Sequence, residues 1–218
     1  VYAWFRDLLF WPVENFLAKD EDLSSSERET LGRKIRESIY PELTAQAERL
    51  PIQDTGLVAL DWLNGRRTPD ANQLLKGAIS GLNLGSSAPR IFKALVEATA
   101  FGARKIVERF EEEGIPIRDV IAVGGVARQS PFVMQVVADV FDREIRVVAS
   151  EQACALGAAM FAAVAGGVYQ TVSQAQDKMN SGFETEYKPR PEQAGKYRDL
   201  YGKYCRLGEF IERETGRD

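Results

Sequence analysis

The chain has 218 residues, 44% hydrophobic and 28% charged, which excludes collagen-like, mucin-like and wholly disordered chains and suffices for a core without disulfide or metal staples. It contains no histidine, which removes imidazole acid–base chemistry, Ser-His-Asp and Cys-His arrangements and the common zinc sites. With 28 Lys and Arg against 32 Asp and Glu the net charge is −4, without the basic surplus that nucleic-acid binding by counterion release requires.

Tyr2, Phe5, Leu8 and Leu9 recur at helical spacing from the start, and Pro12 predicts a break after Trp11 because proline biases its predecessor out of the helical region. Ser26 to Glu29 reads as a capping box opening a second helix, with Leu31, Ile35 and Ile39 on its buried face and its end before Pro41. A third, shorter helical pattern runs through Leu43, Ala47 and Leu50. The first 50 residues thus form a helical lead-in. Residues 56–61 and 78–82 then read as buried strands, separated by a polar, turn-rich stretch over 64–72. A long helix follows through Ile91, Leu95, Ala98, Gly102 and Ile106, closed at Gly114, where a left-handed backbone is cheap.

The next segment predicts β-α-β-α: strand 119–123, the pair Gly124 and Gly125, a helix from Ser130 to Phe141, strand 145–149, and a helix from Ser150 to about Gly166. Ser130 is a good N-cap and Pro131 a good first helical residue, while Phe132, Val133, Val136, Val137 and Val140 form a stripe suited to packing on a sheet. Parallel strand pairing is expected. The longest apolar run, 153–168, is mostly Ala and Gly and falls short of the ~20 residues of a bilayer crossing, so it reads as a buried helix and no membrane partner is expected. Its small residues Ala155, Gly157, Ala158, Ala159 and Ala162 suit tight packing. Beyond Gly167 the chain turns polar until the Pro189 and Pro191 break. A last helix carries Tyr197, Leu200, Tyr201, Tyr204, Phe210 and Ile211, docks on the main body over 189–214 and frays after Glu214. The N-terminus has neither Met nor signal-peptide order and reads as a chain that begins mid-element. Cys154 and Cys205 form no CxxC pair, which points to a reducing compartment and a cytoplasmic location.

Gly124 and Gly125 stand where a strand ends and a helix is about to begin, the crevice where open α/β sheets bind ligands. A missing Cβ there lets a nucleotide approach the backbone, although paired glycines also make plain tight turns. The third glycine of a dinucleotide fingerprint is lacking, Glu151 is the only plausible ribose partner for it, and no P-loop exists. Residues 54–56 imitate an aspartic-protease triplet without the second copy its chemistry needs, so they read as a turn. Glu111, Glu112 and Glu113 read as a solvated helix end with no metal-ligand spacing. The stretch 60–69 (LDWLNGRRTP) concentrates Asp61, Trp62, Asn64, Arg66 and Arg67 after a strand, and turn chemistry is the favoured reading over a site.

Taken in order, 2–5 (YAWF), 60–69, 97–104 (EATAFGAR), 124–130 (GGVARQS) and 149–159 (ASEQACALGAA) resemble the C-terminal half of the FGGY carbohydrate kinases over nearly the whole chain, closest to the branch acting on L-ribulose. The resemblance implies an α/β fold: the C-terminal half of a two-domain sugar kinase of the actin-like, ribonuclease H-like ATPase class, with extra helices at both ends around an α/β core at 56–168. It implies ATP and Mg²⁺ as cofactors, with the metal held mainly by an N-terminal kinase domain that is itself a partner. L-ribulose would be the sugar. It leaves the oligomeric state open, a homo-oligomer included.

The nucleotide-binding residues implied are Gly124, Gly125, Ala127, Gln129 and Ser130, with Gln129 reaching toward adenine, and Ala3 matches a position near the base. No catalytic or metal-binding residue is carried over, because the Asp-x-Gly-Thr phosphate motif and the catalytic carboxylate are family parts that these residues lack, so the 218 residues alone are expected to show no turnover. The alternatives are a non-enzymatic nucleotide-binding module and a related kinase for another pentulose or glycerol.

Overall fold

A computed structural model describes residues 1–52 and 56–215, and these divide into two compact units. Of the described residues, the first comprises those within 1–109 and 195–215, the second 110–194. The triplet-like segment at 54–56 lies mostly outside the described residues.

The first unit opens with helix α1 (Tyr2–Asn15), a 3₁₀ turn (Leu17–Lys19) and helix α2 (Ser25–Arg49). Both helices run through a proline where a break was expected. In α1, Pro12 removes one amide from the ladder, yet its carbonyl still accepts from Phe16 N at 2.8 Å. In α2 the last turns carry Leu43 and Ala47, the two buried residues of the helix, so burial on the C-terminal side of Pro41 outweighs the lost bond. That helix presents Leu31 and Ile35 to solvent, contrary to the expected stripe. Its capping box lies two residues earlier than expected: Glu27 N donates to Ser24 Oγ while Ser24 N donates to the Glu27 carboxylate at 2.8 Å.

The predicted strands of this unit shrink to β1 (Val58–Ala59) and β2 (Ile79–Ser80), an antiparallel pair. Helix α3 (Ala88–Glu112) buries Phe92, Leu95, Val96, Ala98 and Phe101, and Gly114 beyond it has φ +79° as the stop signal required.

In the second unit, strand β3 (Val120–Ala122) leads through a short helix α4 (Gly125–Gln129) into α5 (Pro131–Phe141), β4 (Ile145–Val148) and α6 (Ala153–Ala165). The β-α-β-α order and the parallel pairing of β3 with β4, Ile121 opposite Arg146, match the sequence reading. Helix α7 (Val172–Met179) and strand β5 (Phe183–Tyr187) were not foreseen. Phe183, Thr185 and Tyr187 alternate with Glu184 and Glu186 in a strand that pairs antiparallel to β4 and completes the order β3-β4-β5. Ala127, Met134, Ala138, Ile145 and Val147 form its buried cluster.

The run at 153–168 is a helix but not a buried one: only Met160 of α6 is buried, and Ala155, Ala158, Ala159 and Ala162 face solvent. Low polarity made it look like core, whereas Ala155, Ala158, Ala159 and Ala162 recur at helical spacing on an exposed face. No helix among the described residues is long and apolar enough to cross a membrane.

One buried charge organises the exit from this unit. Asp139 Oδ1 accepts from Gln135 Nε2 at 3.0 Å and Arg190 N at 2.8 Å, and Oδ2 accepts from Arg190 Nε at 3.0 Å and Nη2 at 2.6 Å. These bonds tie the segment between β5 and helix α8 (Pro191–Thr215) to α5. Asp139→Asn keeps the shape but turns acceptors into a donor facing donors, and is expected to cost about 1–3 kcal/mol in urea unfolding. An unchanged midpoint would show the tether to be energetically idle.

Candidate functional site

The glycine turn has the geometry a close ligand approach needs. Gly124 takes φ +96° and ψ 177°, a conformation that a side chain strains, and serves as the N-cap of α4. A Cβ built on Gly124 or on Gly125 would meet nothing within 4 Å, so both glycines border open space rather than filling a packing constraint. Both are exposed, as is Gln129 at the end of α4.

The other predicted residues face inward. The Ala127 methyl is buried in the cluster with Met134 and Val147, which leaves only its backbone for a ligand. Ser130 Oγ accepts from Val133 N at 3.4 Å and caps α5, so its hydroxyl is engaged in holding the helix start.

Arg128, not singled out from the sequence, braces this turn. Its guanidinium donates to both oxygens of Glu184 on β5, at 2.9 and 3.2 Å, and pairs with Glu151 at 3.3 Å. Hydrogen bonds to Glu184 first and Glu151 second raise its pKa. Glu151, the one ribose candidate under a dinucleotide reading, is thus an ion-pair partner of the turn. Beside the turn lies a groove of about 440 Å³ lined by Ile121, Val123, Leu156, Met160 and Phe183, with Asn180 to Gly182 at its rim. No signal short of the β5 pairing could have placed Phe183 there.

The chemistry-rich stretch at 60–69 is spent on structure. Asp61 Oδ1 accepts from Tyr204 Oη of α8 at 2.9 Å, and burial raises its pKa while that hydroxyl opposes the rise. Trp62 is buried edge-on to Tyr204, with Arg66 4.9 Å over its ring. Arg66 also pairs with Glu212 and donates to Asp70 O at 3.0 Å, and Arg109 holds the Asp70 carboxylate at 2.7 and 3.0 Å.

Two glycines make room for this cluster. A Cβ on Gly102 would lie 2.5 Å from Asp61 Oδ2, and one on Gly208 would lie 2.9 Å from Trp62 Cη2. Asp61, Trp62 and Arg66 therefore seat α8, while Asn64 and Arg67 are exposed.

A parallel strand pair ending in an exposed glycine turn, flanked by α5 and α6, is an arrangement in which open α/β folds bind ligands beyond the carboxyl ends of their strands. Comparison with known proteins makes the assignment specific. Residues 2–166 match the FGGY family of carbohydrate kinases, C-terminal domain, and the chain belongs to that family. The ribulokinase of Vibrio parahaemolyticus is 48% identical over 212 residues, 97% of this chain and 36% of that protein. The ribulokinase of Bacillus licheniformis is 38% identical over 213 residues, 96% of this chain and 37% of that protein. The crystal structure of the xylulose kinase from Rhodospirillum rubrum matches with a TM-score of 0.72 at 28% identity, over 94% of this chain and 38% of that one. The chain thus spans a little over a third of the length of these relatives.

Proposed function

We propose that the chain is the C-terminal, ATP-binding part of an ATP-dependent L-ribulokinase that moves the γ-phosphoryl of ATP to the terminal hydroxyl of L-ribulose, giving L-ribulose 5-phosphate and ADP in the cytoplasm. The 48% identity to a ribulokinase across 97% of the chain carries this reading. The nucleotide's sugar and base lie against Gly124 and Gly125, the Gln129 side chain reaches the adenine edge, and Ala127 and Ser130 contribute backbone and helix placement.

The role of these residues is positioning, which together with electrostatic stabilisation supplies the catalytic power in phosphoryl transfer. On this reading Mg²⁺ and the base that activates the sugar hydroxyl are held mainly by the N-terminal part of the parent enzyme.

The test is a coupled ADP-release assay on the full gene product with L-ribulose, D-xylulose and glycerol, alongside the 218 residues alone. Turnover greatest with L-ribulose, and none from the isolated chain, is the expected result. Preference for D-xylulose or glycerol would move the protein to another branch of the family. Turnover by the isolated chain would overturn the division of labour.

A further inference from the structure

Three tyrosines spaced along one face of α8 each donate a hydroxyl hydrogen to a carboxylate of the first unit: Tyr197 to Glu97, Tyr201 to Glu108, and Tyr204 to Asp61. All three tyrosines are buried. Glu97 differs from the other two carboxylates in its surroundings. It is 2% exposed within α3, and its Oε1 has no hydrogen-bond partner among the described residues. The charged and titratable groups that face it are Lys93, one turn earlier on the same helix and 3% exposed, and Tyr197 from α8. The Lys93 ammonium also donates to the Leu50 carbonyl.

An ionised carboxylate with an orphan oxygen and no access to water is expensive, whereas the neutral acid leaves only a weak acceptor unmet. Burial accordingly lifts Glu97 from its ordinary 4.5 to about 7, with Lys93 and then the Tyr197 hydroxyl acting against the rise.

We propose that Glu97 is a proton-operated latch for the C-terminal helix: as the neutral acid it closes α8 onto α3, and as the carboxylate it loosens that joint. When α8 lifts away, Glu97 regains water and its ordinary acidity. Between about pH 5 and pH 7 the docked form therefore holds a proton that the undocked form has released. The stabilisation is complete below the ordinary carboxylate range and is lost as pH rises through 7. Asp61 shifts in the same direction by burial, so the test must separate the two groups.

Hydrogen exchange of the amides at 197–204 in the full gene product, corrected for the intrinsic rate, reads the opening of α8 directly. From pH 5 to pH 8 the opening constant is expected to rise about 10- to 100-fold, while amides at 133–140 of α5 serve as the reference. Glu97→Gln should flatten the rise. The near-isosteric Tyr197→Phe, which removes a hydroxyl that favours the carboxylate, should move the midpoint to higher pH. A flat wild-type profile, a slope that survives in Glu97→Gln, or a midpoint that falls in Tyr197→Phe would each overturn the proposal.

Discussion

Replacing Gly125 by valine is expected to weaken ATP binding by the full gene product about 100-fold, equivalent to about 2.7 kcal/mol, while leaving the melting temperature within about 3 °C of wild type. The two halves of this expectation come from different observations. Gly125 is the first residue of α4, its φ is not in the left-handed region, and a Cβ there meets nothing within 4 Å, so the protein tolerates a side chain. Valine is no worse than glycine in a helix, so no backbone penalty arises.

A ligand resting against that backbone would instead meet an isopropyl group and be displaced by several bond lengths. Gly124 is the poorer position for the experiment, because its φ of +96° would strain any side chain and mix folding with binding. Titration calorimetry with a non-hydrolysable ATP analogue gives the affinity, and circular dichroism gives the melting point. Wild-type affinity in a folded Gly125→Val protein would remove the glycine turn from the site.

Phe101→Ala is expected to destabilise the first unit by about 3–5 kcal/mol, the largest stability effect foreseen for any single change here. Phe101 is 2% exposed, and its ring centroid lies 6.3, 5.7 and 5.5 Å from those of Tyr197, Tyr201 and Tyr204. Truncation removes a large apolar side chain and opens a cavity beneath three rings. The cost falls high in its range because the neighbours resist collapse: the three hydroxyls are tied to Glu97, Glu108 and Asp61, so moving a ring inward breaks a hydrogen bond. Phe101→Leu, which keeps most of the volume, should cost roughly 1–1.5 kcal/mol. Urea unfolding followed by tryptophan fluorescence, to which Trp62 edge-on to Tyr204 contributes the buried signal, measures both. A loss below about 1 kcal/mol for Phe101→Ala would mean that α8 is not held by this cluster.

Much of the second unit was legible in residue order. Ser130 and Pro131 announce the start of α5, its valine stripe announces a buried face, and Gly114 announces the end of α3, each through chemistry completed within one helical turn. The five residues of α4 were invisible because so short a run, opened by a glycine and followed by an obvious N-cap, carries no periodicity. Strand β5 was missed although Phe183, Thr185 and Tyr187 alternate with Glu184 and Glu186: one five-residue alternation in a polar stretch is a short signal, and pairing with β4 secures the strand. Of the candidate site, the residues of the turn were named in advance, but not that Ala127 points into the core or that Arg128 braces the turn on Glu184 and Glu151.

The cap at Ser130 and the stop at Gly114 were settled by neighbours within a turn or so, and a reading of the chain finds them because no distant group has a say. Whether a helix continues through Pro41 was settled by tertiary burial beyond it, and whether Asp61 and Arg66 serve chemistry or packing only when segments over a hundred residues apart met. Burial and charge pairing are properties of neighbours in space. Asp61, for which a turn was the favoured reading over a site, becomes a clasp once a tyrosine from the far end of the chain lies against it.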